Sequence, residues 1–195
     1  MKIIENSVMN GIIYLIGLFD PYGLEHHHRV ADLCVRLLKR CGIKDQELIE
    51  KIRKAAMIHD IGKMGVPEYV RRLTGRYLDG ERQIMNTHSM HGYLYLQKLV
   101  NGVISEEIAL LVKHHHENWG GEEGYPDKLH GRDIPYGSRI IRVCDWFDAV
   151  THERGYKRAS TPKEALAEMV DIQIEHQLFD PDILRLFLEM MKEEQ

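Results

Sequence analysis

The chain has 195 residues, 44% of them apolar and 29% charged, which suits one globular domain with its own core. A formal net charge of −4 excludes the broad basic surface of a protein that binds polymeric nucleic acid; an anionic ligand would need a local cluster of cations or metal. Cys34, Cys41 and Cys144 have no CxxC spacing, which excludes a disulfide scaffold and reads as three buried free thiols in a reducing cytosol.

The apolar periodicity is helical throughout, without strand alternation, and predicts a single all-α domain over residues 1–195. The first expected helix, 4–19, carries the apolar run Val8–Phe19. That run is too short to span a bilayer and lacks the basic flank and cleavage site of a signal peptide. It is expected to be a buried helix or a homodimer contact, with the protein cytoplasmic and away from membranes. Helices follow at 26–41, stopped by Cys41-Gly42, and at 45–60, 79–100, 105–117 and 136–153. The last two, 162–175 and 181–192, each open with proline. Two long loops remain, 64–78 and 118–135; the second holds Gly120, Gly121, Gly124 and Gly131 with Pro126 and Pro135, and such loops in compact helical domains are usually functional.

Twelve histidines are unusual for this length, and two triplets, His26–His28 and His114–His116, lie within helical sequence. Helical spacing decides which point inward. His26 shares the face of Val30, Leu33 and Leu37; His28 aligns with Asp32 and faces water; His27 stays open by spacing alone. Leu48, Ile52 and Ala55 lead to His59, and Ile49, Ile52 and Ala56 to Asp60. His88 shares a row with Ile84 and Gly92, while Ile108, Ala109 and Val112 lead to His115 and His116. Asp145 lies between Ile141 and Ala149. A single inward histidine is usually a hydrogen-bonded core residue, but five with two aspartates would carry a large desolvation cost without a cation. The donor set suits Fe or Mn first, with Zn, Ni or Co as alternatives, rather than Mg or Ca. Seven donors exceed one ion's needs, so two divalent metals sharing a carboxylate are expected.

These residues resemble the HD-GYP family of HD-domain metallophosphohydrolases. The likeness runs through His26-x-x-Arg29-Val30-Ala31, His59-Asp60-Ile61-Gly62-Lys63, His88-x-x-x-Gly92, His115-His116-Glu117, Gly124-Tyr125-Pro126, Asp145-x-x-Asp148-Ala149-x-Thr151, Arg154-x-Tyr156-Lys157 and Phe179-Asp180-Pro181. The resemblance implies an HD helical bundle extended by C-terminal helices. It implies His26, His59, Asp60, His88, His115, His116 and Asp145 as metal ligands, with Asp60 bridging, and Lys63 near the scissile phosphate. Arg154 and Lys157 would hold substrate phosphate, with Tyr125 in the loop that gives the family half its name. The implied activity is hydrolysis of a cyclic dinucleotide such as cyclic di-GMP to a linear dinucleotide by a two-metal-activated hydroxide. Alternatives are another HD-type nucleotide phosphohydrolase and a non-catalytic cyclic-dinucleotide receptor. With room for about one extra helix, the input signal would come from a regulatory protein partner or the metal's redox state.

The sequence departs from the family pattern HHE-x-x-D-G-x-G-Y-P. Gly120 stands at the aspartate, one residue is inserted before Gly124, and Gly155 replaces a common proline. Members with a third metal resemble one another in a glutamate four residues before the first ligand; Tyr22 stands there, so two metals are expected.

Overall fold

The computed structural model describes residues 2–73, 75, 77–98, 102–152 and 159–193, apart from the side chains of Lys2, Pro21 and Tyr22. All regular structure among them is helical: α1 (Lys2–Phe19), α2 (Pro21–Arg40), α3 (Gln46–Ile58), α4 (Glu68–Arg71), α5 (Asp79–Asn86), α6 (His88–Lys98), α7 (Glu106–Lys113), α8 (Tyr136–Thr151), α9 (Pro162–His176) and α10 (Pro181–Glu193), with 3-10 turns at Ile61–Gly65 and Gly131–Asp133.

The centre of the bundle is α2, packed between α1, α3, α8 and α10. Val30, Cys34, Leu37 and Leu38 of α2 are fully buried against Ile52, Ala55 and Ile58 of α3, Ile140, Ile141 and Cys144 of α8 and Phe187 of α10. Each valine, leucine, isoleucine or phenylalanine among them contributes roughly 1.5–3 kcal/mol on leaving water. Helix α2 starts five residues earlier than periodicity alone predicts, because the Asp20 carboxylate accepts from the Gly23 N–H at 2.9 Å and Pro21 suits the first turn. His26 is therefore held in the second turn of a capped helix rather than at a fraying end. The Asp45 carboxylate caps α3 in the same way, accepting from Glu47 and Leu48 N–H.

Three expected helices end differently from their periodicity, and each change shapes the site. Helix α3 stops at Ile58, so His59 and Asp60 lie at its exit, where the chain tightens into the turn Ile61–Gly65. The expected helix 79–100 breaks at Thr87, whose hydroxyl donates to the Ile84 carbonyl at 2.6 Å and starts α6 afresh at His88. Helix α7 ends at Lys113, leaving His114, His115 and His116 in a turn. Gly62 joins these pieces: a Cβ there would sit 1.8 Å from the His88 carbonyl oxygen, so only glycine lets the turn lie on the start of α6.

Helix α1 buries Met9, Ile12 and Ile16 and leaves Ile3, Ile4, Tyr14, Leu15 and Leu18 exposed. No helix among the described residues is long and apolar enough to cross a membrane. Cys34 and Cys144 are buried as expected, but Cys41, at the C-terminal cap of α2, is only half-buried: the chain turns outward there.

Candidate metal centre

Five elements converge on one point: the second turn of α2, the exit of α3, the start of α6, the turn after α7, and the middle of α8. They bring together all seven residues singled out as ligands. Asp60, His88, His115 and His116 form one group with donor atoms within 4.8 Å of one another, and His26, His59 and Asp145 form a second.

The rings are held by their Nδ1 atoms. His59, His88 and His115 donate to carbonyls three residues earlier, on Ala56 at 2.7 Å, Met85 at 2.7 Å and Val112 at 2.6 Å. His26 Nδ1 donates to the Asp148 carboxylate at 2.7 Å, and that carboxylate also receives two donors from Arg29, at 2.7 and 3.0 Å. A carbonyl or carboxylate only accepts, so each Nδ1 carries a proton and the nitrogen left to offer a lone pair to a cation is Nε2, which each ring turns inward.

Those lone pairs face other acceptors. His26 Nε2 lies 3.1 Å from Asp145 Oδ1, His88 Nε2 lies 3.2 Å from Asp60 Oδ1, and His88 Nε2 lies 3.3 Å from His115 Nε2. His26 Nε2, His59 Nε2 and Asp60 Oδ1 are buried without any hydrogen-bond partner. Acceptor against acceptor in a dry interior is unfavourable unless a cation lies between them. The set therefore fits divalent metal, and its imidazole and carboxylate donors match transition ions.

Electrostatics agree. Burial works against a charged His59, yet the carboxylates of Asp60 and Asp145 outweigh it and push the imidazole up to about 10. Burial also opposes ionisation of Asp60, but Lys63 and His59 hold it well below the usual carboxylate range. Asp145 is likewise held low, against its burial, by His26 and His59. His115 and His116 are pushed well down by burial, with neighbouring imidazoles adding to it. The ammonium of Lys63, whose Nζ is 2.5 Å from Asp60 Oδ2 and which remains 30% exposed, sets a positive charge directly against the buried carboxylate.

Tyr125 stacks on His116, with ring centroids 4.8 Å apart and an interplanar angle of 27°. Its loop is tied down by the Glu117 carboxylate, which accepts from Asp127 N–H at 2.8 Å and Leu129 N–H at 3.0 Å. Trp119 and Gly120 donate to the Leu178 and Gln177 carbonyls between α9 and α10. A Cβ on Gly120 would meet Gln177 Cβ at 3.0 Å, which gives a packing reason for glycine at this departure from the family pattern. Arg154, Lys157 and Gly155 lie outside the described residues, as does the side chain of Tyr22.

Periodicity did not reveal three residues that bear on the site. Asp148, one turn after Asp145 on α8, sets the tautomer of His26. Arg142 donates to His116 Nδ1 at 3.1 Å and to Asn118 Oδ1 at 2.9 Å. A guanidinium cannot accept, so His116 is the ring whose Nδ1 is taken as an acceptor. His27, open by spacing alone, is buried at 3% exposure and contributes to a third donor group with His59 and Asp60.

The HD domain family matches residues 12–183. A cyclic di-GMP phosphodiesterase of Thermotoga maritima is 34% identical over 170 residues, which is 86% of this chain and 44% of that protein. The 3′3′-cGAMP-specific phosphodiesterase 2 of Vibrio cholerae serotype O1 is 34% identical over 166 residues, 84% of this chain and 30% of that protein. The chain thus spans less than half the length of these curated relatives. The solved structure of Bd1817, a HDG"Y"P protein from Bdellovibrio bacteriovorus, superposes with a TM-score of 0.73 at 14% identity, covering 96% of this chain and 63% of that one. At that identity the likeness concerns the fold alone. With the family matched from α1 to α10 and its histidines and aspartates gathered at one point, the chain belongs to the HD-domain family, and its resemblance to the HD-GYP cyclic di-GMP phosphodiesterases extends over most of its length.

Proposed function

We propose that the chain is a metal-dependent phosphodiesterase that opens a cyclic dinucleotide, cyclic di-GMP first, to the linear dinucleotide. The observation that carries this reading is the set of acceptor-to-acceptor approaches around Asp60 and Asp145. His26, His59 and Asp145 would hold one ion, His88, His115 and His116 the other, with Asp60 shared. Iron or manganese suits these donors first, then zinc, nickel or cobalt. Two such ions, when bound, lower the pKa of a water and offset charge on the phosphoryl oxygens.

The chain's own groups supply the rest. Asp60 keeps the two imidazole sets at a fixed separation through its two oxygens. Lys63, one turn later and partly exposed, directs an ammonium to the side where a phosphoryl group would enter and can protonate the departing 3′ oxygen. Tyr125, stacked on His116, offers a surface beside the cluster for the substrate. Arg154 and Lys157 would hold its phosphates.

Anaerobic purification with metal analysis, followed by turnover of cyclic di-GMP, 3′3′-cGAMP and plain nucleotides side by side, tests the reading. Two ions per chain and a linear dinucleotide product are expected. Asp60→Ala is expected to lose both ions and all turnover. Full hydrolysis by metal-depleted Asp60→Ala would refute the mechanism. Faster turnover of nucleoside mono- or triphosphates would assign a different phosphohydrolase, and tight binding without product in metal-replete protein would assign a receptor.

A further inference from the structure

His27 follows the first expected ligand, and its neighbours His26 and His28 were sorted by helical face: one inward, one to water. The structure turns His27 inward as well. Its Nδ1 donates to the Met57 carbonyl at 3.0 Å, the same backbone anchoring that orients His59, His88 and His115. The proton is therefore on Nδ1, and the Nε2 lone pair faces Asp60 Oδ2 at 4.0 Å. The His27 ring centroid is 4.8 Å from that of His59, closer than His26 at 5.3 Å. Donor atoms of His27, His59 and Asp60 lie within 4.8 Å of one another, as do those of His26, His59 and Asp145.

The two groups share His59, and an imidazole has a single Nε2 lone pair. It can serve one cation, so the groups are two sides of one position rather than two sites. We infer that His27 is a further ligand of the ion held by His59, entering from the Asp60 side while His26 and Asp145 enter from the other. This rests on the proposed metal centre. It makes the two ions unequal in environment: one has an imidazole-rich shell closed on two sides, and the other borders Tyr125.

The chemistry of the two ring nitrogens provides the test. His27→Asn retains an amide N–H where Nδ1 donates to Met57 but removes Nε2. If His27 only fills the core, this variant should bind metal like the wild type. If it is a ligand, Co(II) titration into anaerobic apoprotein should show one of two sites weakened at least about tenfold, with apoprotein thermal stability nearly unchanged. An independent readout needs no variant. In Co(II)-loaded wild-type protein, five paramagnetically shifted imidazole N–H signals are expected, from His26, His27, His59, His88 and His115, because His116 Nδ1 accepts from Arg142 and carries no proton. Two ions with only four such signals, or with unaltered affinities in His27→Asn, overturns the inference and leaves the phosphodiesterase reading intact. A wild-type protein that binds no metal overturns both.

Discussion

The two halves of the cluster are built from the same residue types but held by different means. On the side of His26, His59 and Asp145, every ring is fixed from within the bundle, and a chain of charge runs from Arg29 through Asp148 to His26. On the side of His88, His115 and His116, two rings are fixed by carbonyls, but the third meets Arg142 and stacks on a loop tyrosine. On the proposed reading, the first half has the construction of a site that would retain its ion. The second has a cation beside it and a loop over it, as the proposed entry of an anionic substrate would require.

The strongest way to break the comparison is to separate the halves at their seam. Gly62→Ala would place a methyl group on the His88 carbonyl oxygen, and backbone there cannot yield cheaply. A loss on the order of 4 kcal/mol is expected, read as a thermal midpoint lower by roughly 10 °C, with metal lost from both halves together. A variant that keeps wild-type stability would show that the turn and α6 are not locked by this contact.

Asp148→Ala acts on one half alone. It removes the acceptor that keeps the His26 proton on Nδ1, and leaves the Arg29 charge only the exposed Glu25 carboxylate at 3.8 Å. Affinity at the His26 side is expected to fall about 10–100-fold, with the His88 side nearly unchanged. Arg142→Met should move the other half in the opposite direction, by less. Removing a buried positive charge 3.1 Å from His116 Nδ1 frees that atom and is expected to raise metal affinity there by a few-fold. Metal titrations that showed the same direction for both variants would remove the distinction between the halves.

The helical fold and the inward positions of seven residues could be read from the sequence because burial imprints itself on spacing. The breaks could not. Thr87 ends a helix by bonding its own hydroxyl backward, and His59-Asp60 lies past a helix end that apolar periodicity runs straight through. Periodicity also says nothing of partners far apart in the chain, so the Arg29–Asp148 and Arg142–His116 contacts were hidden although each residue was in view. His27 was hidden differently: spacing alone left its direction open, and only the packed helix shows it buried and held on the Met57 carbonyl. The exposed stripe of α1, Ile4, Leu15 and Leu18, has the composition expected of a subunit contact, and the proposal of a homodimer there stands on that expectation alone.

The smallest expected effect concerns the loop that distinguishes the second half. Glu117 lies beside a ligand in sequence but points away from the cluster, its carboxylate receiving two backbone N–H groups from Asp127 and Leu129. Burial raises its pKa, and those two donors work the other way. Glu117→Gln keeps one acceptor oxygen and puts an amide N–H where a backbone N–H must be received, so one of the two bonds is lost. The expected cost is about 1–2 kcal/mol, a thermal midpoint lower by a few degrees. Metal content should not change, because the rings of His115 and His116 are held by Val112 and Arg142 rather than by the loop. KM for the cyclic dinucleotide should rise more than kcat falls, since Tyr125 would lose its position while the metal-holding residues keep theirs. If metal content fell along with affinity, the loop would be part of the metal site's scaffold, and the division between a retaining half and an admitting half would have to be redrawn at Glu117.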